Sequence, residues 1–344
     1  MGRENAARGG DTGDASGIFA GVTAASNTRS FSGVTRLAPS PTGALHLGNV
    51  RTFLVNWAMA RSRGWKVVLR IEDLDGPRVK TGAVEDLIDT LGWLGMDWDE
   101  GPLVQSDDLS PYVGAMSRLA RSGLAFPSNL TRGEIEAAAS APQEGAFNET
   151  RFPPELRPAG LGPREFDEPE SGWRFVTPPG EVRFEDEFRG PCGADPSGSV
   201  GDFVVWTKRG QPSYQLAVVV DDARQGVTNV VRGDDLLDSA ARQTLLYRAL
   251  GIERVPVWCH LPLVVGEDGR RLAKRHGDTR AAFYRGLGVP AERLVALMAR
   301  WSGIGPRAES MTAGEFAGRF DLASMSRERV VFTAEQDRWL RQRA

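Results

Sequence analysis

Two short apolar runs, each followed by apolar residues at helical spacing, set the strongest limit on what this chain can fold into. VTRLA, at 34–38, is a buried-strand candidate, and Val50, Phe53, Leu54, Trp57 and Ala58 then recur on one helical face. KVVLRI, from Lys66 to Ile71, is β-branched and apolar, and Val84, Leu87, Ile88, Leu91 and Leu94 follow on one side of a second helix. Strand, helix, strand, helix in this order predicts parallel strands joined by crossover helices, because a tight turn can only reverse the chain. The fold class is therefore α/β, with a parallel sheet of Rossmann type.

The rhythm continues, breaks and returns. Ser110-Pro111 caps and opens a helix carrying Tyr112, Val113, Met116, Leu119 and Ala120, which stops near Gly123. Residues 124–212 are rich in Pro and Gly, with Pro153, Pro154, Pro158, Pro178 and Pro179, and Thr131 to Glu134 has the spacing of a capping box. They read as an inserted subdomain of short elements. GVTNVVRG and VPVWCHLPLVVG are two further strand candidates, flanking a helix from Ser239 to Leu250 that ends at Gly251. The expected division is a mostly disordered tail at 1–33, the first half of the sheet domain at 34–123, the insertion at 124–212 and the second half at 213–280. A short helical region follows at 281–344, with Leu294, Leu297 and Met298 on its apolar face.

With 344 residues, 41% hydrophobic and 25% charged, the chain is ordinary for a globular protein. No apolar run approaches the ~18 residues of a membrane span. Cys192 and Cys259 lie far apart, which fits a reducing cytoplasm better than a disulfide framework. A net charge of −3 gives no general support for nucleic-acid binding and leaves a local basic face open.

The stretch RLAPSPTGALHLGNVRTFLVNW, Arg36 to Trp57, joins the first strand to the first helix. Pro39 and Pro41 stiffen the turn, and Gly43 and Gly48 allow close backbone approach. A helix N-terminus at the carboxyl end of a strand attracts phosphate, and His46 would donate to it. On spacing alone, a tight turn with a packed histidine fits as well.

RLAPSPTGALHLGNVRT, LRIEDLD, GMDWDEGPLVQSD, PSYQLAVVVDD, GVTNVVRGDDLL and RRLAKR occur in this order. Together they resemble the catalytic domain of class I glutamyl-tRNA synthetases over roughly 34–280, apart from much of the insertion. HLGN resembles that family's HIGH signature and RLAKR its KMSKS loop. VVRGDDLLDSAARQTLLYRALG looks most like the family's short branch, the glutamyl-Q tRNA(Asp) synthetases. The resemblance implies activation of glutamate with ATP and Mg²⁺ and transfer to queuosine in the anticodon of tRNA(Asp). After the RLAKR loop only Arg280 to Ala344 remain, so no anticodon-binding domain of the family's usual kind is expected. No membrane partner is expected.

Attack of a glutamate carboxylate on the α-phosphorus of ATP leaves the protein chiefly to position groups and neutralise charge. The resemblance implies that His46 and Lys274 are catalytic, the lysine stabilising the developing pyrophosphate. It implies ATP contacts from Pro39, Thr42, Gly43, His46, Gly48, Asn49, Arg271, Leu272 and Lys274. Glutamate carries two carboxylates and an ammonium. Arg36 and Arg232 offer planar forks, Glu72 an anion, and Ser40 and Tyr214 hydroxyls. Outside these motifs, surface ion pairs would account for the arginines and a solvated strand end for Glu72. RLAKR departs from its model: Arg271 replaces the first lysine, and Ala273 and Arg275 replace the serines. His260 reads as packed and His276 as solvent-facing.

The family's short branch often carries zinc in the insertion. The matching stretch AFPSNLTRGEIEAAASAPQEGAFNETRF has neither cysteine nor histidine, and Cys192 alone cannot make a structural site. No zinc is expected, with Phe126, Phe147 and Phe152 packing the subdomain instead. A truncated synthetase charging a tRNA 3′ end, and a non-catalytic binding protein of the same fold, are the alternatives. Elemental analysis of purified protein should find zinc well below one per chain, and a chelator should leave the melting temperature unchanged. Stoichiometric zinc would overturn the metal-free insertion.

Overall fold

Residues 30–138, 150–272 and 276–342 are described by the computed structural model. Most of the expected tail, Phe147 and Lys274 lie outside that range.

The first half alternates as its periods predict: β1 (Gly33–Leu37), α1 (Leu47–Arg63), β2 (Trp65–Ile71), α2 (Ala83–Trp93), β3 (Glu100–Val104) and α3 (Ser110–Arg121). β1 and β3 both pair parallel with β2, Leu37 standing opposite Leu69. Val67, Val68, Leu69 and Ile71 are fully buried, so β2 is covered on both faces, as a parallel strand must be. α1 ends at Gly64, whose φ of 68° gives the left-handed cap that any side chain would resist. It is buried all round from Leu54 to Ala60, wider than the expected stripe, because C-terminal helices cover the side away from the sheet.

Within 124–212 lie β4 (Ala125–Pro127), α4 (Arg132–Ala138), β5 (Trp173–Phe175), β6 (Val182–Asp186), β7 (Gly190–Ala194), α5 (Pro196–Ser199), β8 (Val204–Thr207) and β9 (Gln211–Pro212). Antiparallel pairing orders one sheet β4-β5-β8-β9. Thr131 and Glu134 form the reciprocal cap of α4. Phe126 and Phe152 pack with ring centroids 6.0 Å apart, beside Ile135. Asp202, almost fully buried, accepts from Arg157 Nε at 2.7 Å and Nη2 at 2.8 Å and from the Thr177 amide at 2.8 Å.

The second half holds α6 (Tyr214–Arg224), β10 (Asn229–Gly233), α7 (Leu237–Ala249), β11 (Val257–Leu261) and β12 (Val264–Val265). β10 pairs parallel with β11. The β6–β7 hairpin joins the other edge of β11, so part of the stretch 124–212 extends the parallel sheet. β10 runs beside β1, with the Thr228 amide donating to Val34 O at 2.9 Å. The strands therefore run outward in opposite directions from the β1/β10 boundary. That boundary is a topological switch point, where a crevice opens beyond the carboxyl ends of the strands.

The C-terminal region contributes α8 (Ala281–Gly286), α9 (Ala291–Trp301), α10 (Ala313–Arg319), β13 (Val330–Val331) and α11 (Ala334–Arg341). Leu294, Leu297 and Met298 are fully buried, as the apolar face predicts. β13 pairs parallel with β12. Arg51 of α1 is buried and donates to Pro262 O at 2.8 Å and Trp301 O at 3.2 Å.

Gly201 has φ +67°, and a Cβ there would lie 1.8 Å from Phe152 O. Gly201→Ala must displace that carbonyl and strain the backbone, and should cost about 2 kcal/mol or more. Gly114, inside α3, has no such neighbour within 4 Å, so Gly114→Ala should stabilise by about 0.5–1 kcal/mol. Thermal unfolding of the two variants should move in opposite directions.

Candidate active site

At the β1/β10 boundary a set of charges is buried with very little access to water. β2 supplies Arg70, fully buried, whose Nη1 donates to Asp222 Oδ1 at 2.7 Å and to Gln225 Oε1 at 2.8 Å. Its Nη2 donates to Glu72 Oε1 at 3.1 Å. β1 supplies Arg36, whose Nε lies 3.3 Å from the same Asp222 oxygen. The Glu72 amide donates to Pro39 O at 3.0 Å, which ties together the ends of β1 and β2. On α6, Asp221 Oδ2 accepts from Gln105 Nε2 at 2.7 Å and from the Tyr112 hydroxyl at 2.8 Å. Burial lowers the pKa of Arg70, but Asp222, Glu72 and Asp221 together outweigh it, and the net shift is upward. Burial raises Glu72, against the pull of Arg70 and Arg36.

Arg232 ends β10 with only 5% of its surface exposed. Nε donates to His260 Nε2 at 2.9 Å, Nη1 to Gln243 Oε1 at 2.8 Å and Nη2 to Leu236 O at 3.1 Å. The guanidinium lies 4.7 Å from the centroid of the Trp258 ring. Burial lowers its pKa, opposed by neighbouring Tyr214. Neither Arg36 nor Arg232 is a surface ion pair, and Glu72 is no solvated strand end. Tyr214 opens α6 at the same crevice, and Ser40 Oγ sits 3.0 Å from Thr42 Oγ1 in the turn after β1.

His46 is the N-cap of α1, and its Nδ1 accepts from the Asn49 amide at 3.3 Å. Burial and then nearby Arg271 push its pKa down to about 4, with Asp235 opposing. The ring is therefore neutral at pH 7. Because Nδ1 accepts, the proton sits on Nε2, which is left to donate. Gly48 makes room for the ring, since a Cβ there would lie 3.1 Å from it. Gly43 has no protein atom within 4 Å of such a Cβ, so nothing in the chain itself requires glycine at that position.

The RLAKR loop is anchored on both sides of Lys274. Arg271 pairs with Asp235 at 2.8 Å, and Leu272 is buried. Beyond the loop, the Leu47 amide donates to Thr279 O at 2.9 Å and the Ala281 amide to Leu45 O at 2.8 Å, lacing this segment to the His46 turn. His276 differs from its solvent-facing expectation. It packs against Gly266, its side chain is 13% exposed, and Nε2 lies 2.8 Å from Asp268 Oδ1.

A cavity of about 700 Å³ runs from Ser40, Glu72 and Tyr214 to Arg132, Arg174 and Arg209 of the insertion. Among the described residues no cluster of three or more His, Cys, Asp or Glu could hold a metal ion. Arg70 and Asp222, which hold Glu72 and Arg36, are not singled out by the sequence reading. Their signal was present: charged groups inside the otherwise apolar runs KVVLRI and LAVVVDD.

A family model described as tRNA synthetases class I (E and Q), catalytic domain, matches residues 33–339. The chain belongs to that family. As one of the class I aminoacyl-tRNA synthetases, it is a ligase. It is 46% identical over 315 residues to the glutamyl-Q tRNA(Asp) synthetase of Symbiobacterium thermophilum, covering 87% of this chain and 96% of that one. It is 36% identical to the glutamate–tRNA ligase of Syntrophobacter fumaroxidans, over 89% of this chain and 64% of the other. The crystal structure of a glutamate tRNA ligase from Elizabethkingia meningosepticum, solved with its amino acid, superimposes with a TM-score of 0.73. That match is at 28% identity and covers 89% of this chain and 68% of that one. Among the described residues no helix is long and apolar enough to cross a membrane.

His46 and His260 both have pKa values near 4, below the ordinary 6.5, and burial is the largest cause in each. The unfolded chain therefore binds more protons between those values, and the stability these groups contribute is complete above pH 6.5 and falls toward pH 4. Calorimetric melting temperatures should be nearly flat above pH 7 and fall through that window. His260→Gln should flatten the fall.

Proposed function

We propose that this synthetase activates glutamate with ATP and transfers it to queuosine in the anticodon of tRNA(Asp). The observation that carries the reading is the convergence of buried cations with Glu72 at the switch point. A ligand with two carboxylates and one ammonium complements that set. The Arg232 guanidinium is a planar fork suited to a carboxylate, with the Tyr214 hydroxyl beside it. Arg36 is a second cation and Glu72 a seat for the ammonium. Asp222 Oδ2 and the Tyr247 hydroxyl are buried without hydrogen-bond partners, and Asp222 is among the charges acting on Tyr247. A polar ligand or a water would relieve that cost.

His46 Nε2–H, at the positive end of α1, would donate to an ATP phosphate. Lys274 would stabilise the departing pyrophosphate. The cavity has room beyond a glutamate, and the arginines at its far end suit the phosphate-bearing chain of an acceptor nucleotide. The choice of acceptor is supported by the glutamyl-Q tRNA(Asp) synthetases, which the chain matches over 96% of their length.

The deciding experiment supplies ATP, labelled glutamate and tRNA(Asp) with or without queuosine. Label should enter only the queuosine-bearing tRNA. Label on the 3′ end of a glutamate tRNA would instead favour the truncated-synthetase reading. With glutamate and ATP alone, pyrophosphate should be released, and none at high glutamate would favour a tRNA-dependent or non-catalytic protein. Arg232→Ala should weaken glutamate use more than tenfold, since removing one partner of a buried pair costs on the order of 2–5 kcal/mol. The KM for ATP should stay near the parent's. Arg232→Lys should recover only part, because an ammonium lacks the planar fork.

A further inference from the structure

Three neighbouring strands each supply one member of a line of buried polar groups. Arg232 on β10 stands in register with His260 on β11. Asp186 ends β6, the next strand across, where it is paired with Trp258 of β11. His260 Nδ1 lies 2.6 Å from Asp186 Oδ2, and His260 Nε2 lies 2.9 Å from Arg232 Nε. His260 is fully buried and Asp186 nearly so.

The proton positions follow from the partners. Asp186 Oδ1 accepts from the backbone amides of Phe188 at 3.0 Å and Arg189 at 2.7 Å, and Oδ2 accepts from the His260 amide at 3.0 Å. A carboxylate fixed by so many donors stays ionised, so the imidazole carries its proton on Nδ1 and donates there. Nε2 is then a bare acceptor. A guanidinium has no acceptor of its own, so only this neutral tautomer can receive Arg232 Nε–H. Either the other tautomer or an imidazolium would set donor against donor.

The remaining contacts complete the clamp. Gln243 takes Nη1, and its own amide is oriented by Nε2 donating to Gln215 Oε1 at 3.0 Å. Leu236 O takes Nη2, and the Trp258 ring lies against the guanidinium. The plane of the fork is thereby fixed before any ligand arrives. Fixing it in advance removes the ordering cost that a free arginine would carry into binding.

We propose that His260, held in its Nδ1–H form by Asp186, is a positioning residue that sets the Arg232 guanidinium for a glutamate carboxylate. This rests on the reading that Arg232 binds glutamate. A histidine that merely satisfied a core hydrogen bond would affect stability alone.

The test is ATP–pyrophosphate exchange across glutamate concentrations for His260→Asn, His260→Gln, Arg232→Ala and the double variant Arg232→Ala/His260→Asn. Asparagine can donate to Asp186 but is too short to reach Arg232, so the KM for glutamate should rise roughly tenfold. Glutamine can place its Oε1 near the lost Nε2 and should stay within about threefold of the parent. The KM for ATP should be unchanged in both. Adding His260→Asn to Arg232→Ala should have no further effect on glutamate use.

An unchanged glutamate KM in His260→Asn, beside a large effect of Arg232→Ala, would overturn the positioning role and leave the pocket reading standing. An unchanged glutamate KM in Arg232→Ala would overturn both. Equal damage from asparagine and glutamine, or additive damage in the double variant, would reduce His260 to a structural residue. Nitrogen-15 NMR of the histidines in the parent protein gives a check that needs no variant. It should show a neutral His260 protonated on Nδ1 at pH 7, and an imidazolium or Nε2–H form would overturn the proposal.

Discussion

A guanidinium sealed from water needs a partner for every donor, and Arg70 finds carboxylates. Its contacts to Asp222 and Glu72 join the end of β2 to α6, and Asp222 extends the pairing to Arg36 on β1. Removing one partner from a buried set of this kind costs about 3–5 kcal/mol, because a stranded charge remains. Of this set, Glu72 also lines the cavity, beside Ser40 and Tyr214. The chain is thus held together at its switch point by charges that adjoin the cavity through Glu72.

Much of the architecture was legible because periodicity reports burial. β1, α1, β2, α2 and α7 lie close to their apolar patterns. α6 was less legible. Its run LAVVVDD is rich in β-branched residues and buried nearly all round, so it carries no helical stripe, and tertiary packing overrides local preference. The β6–β7 hairpin is the opposite case. VRFED alternates strictly, with Val182, Phe184 and Asp186 inward, but its surroundings of proline and glycine obscured the pattern. Asp186 on the buried face of that strand is itself a signal, since an inward carboxylate needs a partner.

The crevice was legible as a set of residue types and not as a set of pairings. Arg36, Glu72 and Arg232 stand at the ends of β1, β2 and β10, as their motifs suggested. Nothing local links Arg70 to Asp222, 152 residues away, or His260 to Asp186, 74 residues away. Such partners become visible only once the strands are laid side by side. His46 shows the reverse, since its capping bond to the Asn49 amide is a purely local contact three residues long. Its tautomer follows from that single bond.

The parallel pairing of β12 with β13 bears on how separable the parts of this chain are. Val264 and Val265, just ahead of the RLAKR segment, draw their strand partner from Val330 and Val331. Arg51 adds a second stitch, bonding the carbonyls of both Pro262 and Trp301. The C-terminal region is therefore not a module that can be exchanged at a boundary near residue 280. A chimera made with another synthetase would have to carry the stretch from Pro262 to Val265 along with the helices. Otherwise the graft would bring an unmatched strand edge and leave a buried arginine without an acceptor.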